Sequence, residues 1–453
     1  MFNRIYLDKL RKWAKESNRK PLVLRGARQT GKTTLVEIFA KEFDQYIYLN
    51  LEKETDSALF DGSNNISELL DAIYFLKDAT KDKDKTLLFI DEIQNNSKAV
   101  AALRYLYEDA KQLFVIAAGS LLESMIDNRI SFPVGRVDYL PIRPCTFEEF
   151  LVATGEVKSL EIIQNVQVPD YAHDKLLQLF KIYTIIGGMP EIINDYSKHR
   201  DMTRLTGIYN RLLVSYIEDI DKYASSKTIA RAIGHILGSA FNYAGTRITF
   251  EKFGGSIYRS REMGEAFRTI EKVMLLQLVY PVNKTRLPIE EKLRMSPKLF
   301  MFDTGMVNHS AGLQKQLLIS KRIDENFNGK IAEHITAQQL LAQMPSVLSK
   351  LNFWIPQNAN AQAEIDFVLP YEDLLIPIEV KSGTTGKLRS LHRFIDEAPH
   401  NWAIRVYAGK FKIEDAKTIH GKHFKLINMP FYLLGQINKI LKLALSNNPF
   451  NYE

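Results

Sequence analysis

The stretch from Gly26 to Thr33 reads Gly-Ala-Arg-Gln-Thr-Gly-Lys-Thr, the spacing G-x-x-x-x-G-K-[ST] of a loop that cradles phosphates. Its residue types suit that chemistry. Gly26 and Gly31 let the backbone wrap closely around phosphate, and the helix that must follow offers unpaired N–H groups and the positive end of its dipole. Backbone groups of Ala27, Arg28, Gln29 and Thr30 complete the cradle, and Thr34 continues it into the helix. Lys32 is placed to neutralise β- and γ-phosphates, and the Thr33 hydroxyl to ligate Mg²⁺. A second group stands at Asp91–Glu92, directly after the apolar run TLLFI. Asp91 suits a carboxylate that organises the metal, and Glu92 a base that orients and deprotonates an attacking water. Ser120, after a third apolar run from Leu113 to Ala118, is a polar side chain positioned to sense a γ-phosphate, or else a plain strand-terminating turn.

Those residues need particular elements beneath them. Pro21 to Arg25 is a run of strand length, and Leu35, Ile38, Phe39 and Phe43 recur at helical spacing after the loop. A chance glycine-rich turn would lack this strand–loop–helix context. With Tyr46 to Leu51 and the runs before Asp91 and Ser120, the pattern predicts an α/β domain with a mainly parallel sheet, ligand lying at the strands' carboxyl ends. A glutamate directly after the aspartate resembles the AAA-type and related ATPases rather than the GTPases or adenylate kinases, and no guanine-reading N-K-x-D is present, so ATP is favoured over GTP.

The C-terminal part carries a different constellation. In EIDFVL, Ile365 and Phe367 are expected on one side of a strand with Asp366 on the other; in LIPIEVKSG, Ile376, Ile378 and Val380 oppose Glu379 and Lys381. Paired, the two strands would bring Asp366, Glu379 and Lys381 together, two carboxylates and an ammonium suited to a divalent metal and an attacking hydroxide. This is the PD-(D/E)XK nuclease pattern. The competing reading is a set of surface ion pairs on an exposed strand face. Upstream, residues 328–344 read as a helix with Glu333 on one stripe with Ala337, Leu340 and Met344. An inward glutamate there requires a partner or a metal.

Between these parts the pattern is helical from Leu151 to about Lys222, broken at Gly187–Gly188–Met189–Pro190, which reads as a structural chain reversal. Ile229, Ile233, Ile236, Leu237, Ala240 and Phe241 form a further stripe, followed by a short segment, a Gly254–Gly255 turn, a helix from about Ser260 to Leu275 and the strand-like LQLVYPV. That order is a winged-helix reading, in which Arg259, Arg261, Arg268 and Lys272 would face phosphates; such modules also serve as protein spacers.

The quoted motifs LRGARQTGKTTL, LLFIDEIQ, AAGSLLES, PVGRVDYLPIRPCTFEEFL and IIGGMPEII closely resemble a bacterial and archaeal AAA-type ATPase family. In that family the ATPase is fused to a C-terminal domain of unknown function with a nuclease-like fold. The resemblance runs from about Lys20 to about Phe394. It implies that Arg136 is an arginine finger or sensor arginine, against the plainer reading of a strand-edge arginine paired with a carboxylate. It also implies that Glu333 is the helix glutamate of the nuclease fold.

Bulk properties bound the rest. At 453 residues, two or three domains are expected. The expected division is an AAA-type P-loop domain over 1–150, a helical lid or linker over 151–225, a winged-helix-like domain over 226–297 and a nuclease-like α/β domain over 298–453. No apolar run is long enough to cross a bilayer, and the charged segment from Met1 to Lys20 has no signal-peptide core. The single cysteine, Cys145, excludes an internal disulfide framework and a Cys-rich zinc site, so a cytoplasmic protein is expected. Net charge is +7, and Lys381 to Lys425 holds ten Lys/Arg against four Asp/Glu. Such a surface could meet phosphates or merely be solvated. The expected ligands are ATP and Mg²⁺, with a second divalent metal at Asp366 and Glu379, and the expected partner is nucleic acid, DNA before RNA. Arg136 acting in trans would require a homo-oligomer. Two other classes stand against this reading: a switch or scaffold whose nuclease-like domain only binds a partner, and a small-molecule kinase, disfavoured by Glu92.

Overall fold

The computed structural model describes residue 2 and residues 4–62, 65–119, 135–314, 329–344, 346–357, 363–384 and 386–446. Its N-terminal sheet contains β1 (Leu22–Arg25), β2 (Gln45–Asn50), β3 (Thr86–Asp91), β4 (Phe114–Gly119) and β5 (Asp138–Pro141). The order is β2-β3-β4-β1-β5, and every pairing is parallel. Parallel strands need helices on both faces, and the residues alternate accordingly. Leu22, Leu24, Leu87 and Phe89 pack with Leu35, Phe39, Leu10 and Trp13 of the Tyr6–Ala14 and Lys32–Ala40 helices. Val23, Leu88 and Ile90 face the opposite way, toward Leu103 and Leu106 of the Ser97–Asp109 helix. The strand order places β4 between β1 and β3, so the loop after β1 and the carboxylates after β3 meet across one strand width.

Helices follow at Phe147–Ala153, Val157–Asn165, His173–Ile186, Pro190–His199 and Leu205–Glu218. The first opens on a capping box in which Thr146 and Glu149 exchange bonds, as its T-x-x-E sequence demands. The reversal before Pro190 is tightly packed. A Cβ on Gly187 would lie 2.4 Å from an Asp303 carboxylate oxygen, and Gly187 itself has φ +70°. Asp303 is buried and accepts from the Gly188 and Met306 N–H groups at 2.6 and 3.0 Å.

The expected stripe forms the Lys227–Ser239 helix, capped by Ser226, and a 3₁₀ turn and the Ser260–Lys272 helix follow. Beside them lie β6 (Thr246–Arg247), β7 (Leu276–Val282) and β8 (Lys298–Met301). β8 pairs antiparallel with both β6 and β7. The sheet does not stop there. β7 pairs in parallel with β9 (Asn352–Trp354), and the order continues through β10 (Ile365–Tyr371), β11 (Leu374–Val380), β12 (Trp402–Tyr407), β14 (His423–Pro430) and β13 (Lys412–Lys417). β9, β10 and β11 are successively antiparallel, and β12 adds parallel to β11. The Gly329–Gln343 helix covers one face and the Arg389–Glu397 helix the other.

The expected one-sided alternation of β10 is not what forms. Ile365 joins Leu375, Leu391 and Phe394, whereas Phe367 joins Ile376, Ile378 and Ile335. The register of β10 against β9 shifts between Ile365 and Val368, which breaks the two-residue period. Helices on both faces make apolar residues acceptable on either side. Among the described residues, no helix is long and apolar enough to cross a membrane.

Candidate functional site

The loop after β1 closes around its own lysine. Lys32 Nζ donates to the Gly26 and Ala27 carbonyls, each at 3.0 Å. Gly26 has no room for a side chain, since a Cβ would stand 2.2 Å from the Ile142 carbonyl oxygen. Gly31 caps the helix with φ +87°, a conformation that favours glycine. Burial lowers the Lys32 pKa, while Glu92 and Asp91 act to keep it charged. Thr33 Oγ1 donates to Asp91 Oδ2 at 2.8 Å. The Asp91 carboxyl is pushed up by burial, against the Thr33 hydrogen bond. These hard oxygens suit Mg²⁺, which takes few protein ligands and completes its shell with water and phosphate. Glu92 leaves the strand with φ +51°, its N–H bonded to Asp91 Oδ1 at 3.0 Å and its carboxylate accepting from Gln94 Nε2.

Lys32, Thr33 and Glu92 line one cavity of about 700 Å³ with Arg28, Gln29 and Thr34. Its opposite wall comes from the Pro190–His199 helix, through Pro190, Glu191, Asn194 and Lys198. These residues were not legible as a site, because the Gly187–Pro190 reversal reads as structure alone. It is structural, and it also seats that helix over the loop. The pairing of Gly–Gly with Pro in one tight turn was the available signal.

Three further contacts brace the loop from outside. Arg4 is buried, with Nη1 on the Thr30 carbonyl at 2.9 Å and Nε on Glu149 at 2.7 Å. Arg28 Nη1 contacts both carboxylate oxygens of Asp219 at 2.8 Å. Tyr216 OH donates to the Arg28 carbonyl at 3.0 Å. Arg136 lies elsewhere. Its Nε donates to Glu108 Oε1 at 2.5 Å, and it does not line the cavity. Ser120 lies outside the described residues.

The C-terminal residues do come together. Asp366 Oδ2 accepts from the Val380 N–H at 2.8 Å, and Lys381 Nζ lies 2.6 Å from Glu379 Oε1. Sequence reasoning missed three further members. Lys298 of β8 reaches Glu333 Oε2 at 2.8 Å and Glu364 Oε1 at 2.7 Å, with Asp366 Oδ1 at 3.6 Å. Arg247 of β6 contacts Glu364 at 2.6 Å. Glu364 stands two residues before Asp366, so alternation could have found it; the two cations come from distant sequence. Burial, then the neighbouring carboxylates, raises the pKa of Glu333 and of Glu379. Burial opposes the Lys298 charge, but Glu333, Asp366 and Glu364 outweigh it and raise its pKa. Carboxylate oxygens suit a hard divalent ion. In this arrangement, however, an ammonium lies among them, and no group of three His, Cys, Asp or Glu is placed to hold a metal among the described residues. The cluster as it stands does not fit a metal.

Residues 18–151 match the family described as AAA domain, residues 177–317 a Domain of unknown function (DUF8612), and residues 328–432 a Domain of unknown function (DUF4143). Residues 18–151 are thus similar to an AAA domain, and the regions after them to domains of unknown function. No curated protein matches it. Solved structures similar to it include PCH-2 of C. elegans, at 15% identity and TM-score 0.24, covering 43% of this chain and 61% of that one. The chain therefore spans less than two thirds of PCH-2. ORC1 of Aeropyrum pernix in complex with DNA is 11% identical, covering 68% and 93% of the two chains at TM-score 0.25. Drosophila ORC bound to DNA is 15% identical, covering 68% and 94% at TM-score 0.27.

Proposed function

We propose that the protein hydrolyses ATP and couples its nucleotide state to nucleic acid, DNA before RNA. The observation that carries the first part is the cavity on which Lys32, Thr33 and Glu92 converge, with Asp91 bonded to Thr33. On this reading Lys32 exchanges the Gly26 and Ala27 carbonyls for β- and γ-phosphate oxygens. Thr33 and Asp91 would hold Mg²⁺, which would supply charge neutralisation to the phosphates. Glu92, steadied by Gln94, accepts the proton of the attacking water. Ser120 is assigned to γ-phosphate sensing. Arg136, turned toward Glu108, would serve as an arginine finger only to a neighbouring copy, so that role entails a homo-oligomer.

The nucleic-acid part is supported by the Ser260–Lys272 helix. Met263, Ala266, Phe267 and Ile270 face the core, whereas Arg259, Arg261, Arg268 and Lys272 are exposed. With the helix before it and β7 after it, it is read as a winged helix. Residues 298–453 are read as the nuclease-like domain, on the order helix, β9, β10, β11, helix, β12 and the neighbouring Asp366, Glu379 and Lys381. The ATPase region is taken as 1–150, the helical region as 151–225 and the winged-helix region as 226–297, in a cytoplasmic protein. A second reading, in which the C-terminal domain binds without cutting, is favoured by one observation: Lys298 lies among its carboxylates.

Phosphate release by the purified protein tests the first part. Lys32→Ala should remove ATP turnover, and Glu92→Gln should lower kcat by about 100-fold or more while ATP still binds. Undiminished turnover in both variants would refute the assignment. Cleavage of DNA with Mg²⁺ or Mn²⁺, abolished by Asp366→Ala and by Lys381→Ala, decides between cutting and binding.

A further inference from the structure

The reversal that seats the Pro190–His199 helix is held by residues from far along the chain. Pro190 lies directly on the loop after β1: a Cβ on Gly31 would stand 3.5 Å from Pro190 Cγ. Two residues earlier, the Gly188 N–H donates to Asp303 Oδ2 at 2.6 Å, and the Gly188 carbonyl accepts from the Cys145 N–H at 2.7 Å. Asp303 is 0% exposed, and it also accepts from the Met306 N–H at 3.0 Å and from Gln338 Nε2 at 3.4 Å. These donors are neutral. Burial pushes the Asp303 carboxyl up to about 6, against the N–H groups of Gly188, Met306 and Gly305 and the Gln338 amide. The backbone around it has no slack, since a Cβ on Gly305 would lie 2.2 Å from the Ile186 carbonyl oxygen. Asn308, buried as well, donates through Nδ2 to the Thr184 and Ile185 carbonyls at 2.9 and 3.2 Å, groups that a helix end leaves without partners. Asp303 to Asn308 therefore clamp both the end of the His173–Ile186 helix and the reversal after it. A clamp that served stability alone would cost less if it were apolar.

We propose that Asp303 is a positioning residue of the ATP site: through Gly188 it holds the Pro190–His199 helix against the loop after β1. The proposal rests on the ATPase reading of the cavity at Lys32 and deepens it. Pro190, Glu191, Asn194 and Lys198 of that helix form the wall opposite Lys32, Thr33 and Glu92. Asp303 stands just after β8, which pairs with β6 and β7. Gln338 stands on the Gly329–Gln343 helix, and its Oε1 also accepts from the Thr304 N–H at 2.8 Å. The far wall of the cavity is thus fastened to β8 and to the C-terminal half of the chain. A shift of either would reach bound nucleotide through one carboxylate.

Titration of the full chain with a fluorescent ATP analogue, together with phosphate release, tests this. Asp303→Asn keeps the size of the side chain but turns one acceptor oxygen into a donor facing an N–H. The ATP dissociation constant and KM should rise about tenfold, as expected when a hydrogen bond to a charged group is lost. Meanwhile kcat should stay within about threefold, because Lys32, Thr33 and Glu92 are untouched. A variant that is merely less stable behaves differently: it loses active molecules, so apparent kcat falls at unchanged KM. That result overturns the positioning role. So does an unchanged KM in a folded Asp303→Asn whose turnover still disappears with Lys32→Ala, and it leaves the ATPase reading standing. No ATP binding and no turnover by the folded wild type overturns both. Gln338→Met removes the amide that bonds Asp303 and leaves the carboxylate in place. It should move KM in the same direction and serves if Asp303→Asn does not fold; an unchanged KM in that variant then refutes the proposal.

Discussion

Arg4 shows how a residue far from any motif can govern one. Its guanidinium is buried against Glu149, which is 1% exposed, and it also holds the Thr30 and Arg143 carbonyls at 2.9 and 2.8 Å. Arg4→Met would leave Glu149 buried without its cation, at a cost of about 3 kcal/mol. Denaturant unfolding should show that loss, and Glu149→Gln in the same chain should restore part of it by removing the stranded charge. No recovery in the double variant would mean that Arg4 acts through its carbonyl contacts alone. At this scale the sequence is legible where chemistry is local. Gly26 to Thr33 and Asp91–Glu92 could be singled out from the sequence, because the phosphate and metal binding proposed for them would fix their spacing along the chain. Arg4, Lys298 and Arg247 are not, because each meets its partner only after distant elements pack. Glu333 was placed by helical period, yet its partner, thirty-five positions away, was out of reach of any window.

Elements were legible where one face is apolar and one is wet. The Ser260–Lys272 helix is such a case, and it gives a prediction of its own. If Arg261 and Arg268 meet phosphates, replacing both with Ala should weaken DNA binding evenly across sequences. The slope of log affinity against log salt should fall by about 2. An unchanged slope would return the helix to a spacer role. Period fails where both faces are covered, as in β10, whose Ile365 and Phe367 join different clusters. It also fails to reveal a buried polar link such as His334. This side chain accepts the Met301 N–H on Nε2 at 3.0 Å and meets Thr304 Oγ1 through Nδ1 at 2.9 Å. Burial depresses its pKa from 6.5 to about 3. The unfolded chain therefore binds the extra proton first. The stability His334 contributes is fully present above pH 6.5 and is lost as pH falls toward 3, at up to about 1.4 kcal/mol per pH unit. Melting temperatures from pH 7.5 down to 4.5 should fall more steeply for wild type than for His334→Gln. The carboxylates nearby titrate in both proteins, so the difference isolates the imidazole. Parallel curves would show that His334 is not held neutral.

The whole molecule brings the cavity at Lys32 and the Ser260–Lys272 helix within reach of each other. Arg28, inside the loop after β1, is gripped by Asp219 and by Tyr216, which sit at the end of the helical region just before the Lys227–Ser239 helix. On the other side, Arg25 at the end of β1 donates to the Lys272 carbonyl at 3.3 Å, the last residue of the proposed recognition helix. A loop that rearranges around triphosphate must move or release Arg28, because its backbone and side chain are both held. Any ligand that shifts an equilibrium does so through such differential contacts, and the coupling is reciprocal. Asp219→Asn removes the charge that grips Arg28 without touching phosphate. Its effect should therefore appear in coupling rather than in chemistry. The dissociation constant for a DNA duplex, measured with and without a non-hydrolysable ATP analogue, should differ in the wild type by about fivefold or more. In Asp219→Asn that ratio should move toward one, while ATP binding itself changes less. An equal ratio in the two proteins would mean that nucleotide state does not reach the Ser260–Lys272 helix through Arg28. A wild-type ratio of one would mean that the two regions are not coupled through nucleotide, and the protein would then be an ATPase beside a nucleic-acid binder rather than one driven by the other.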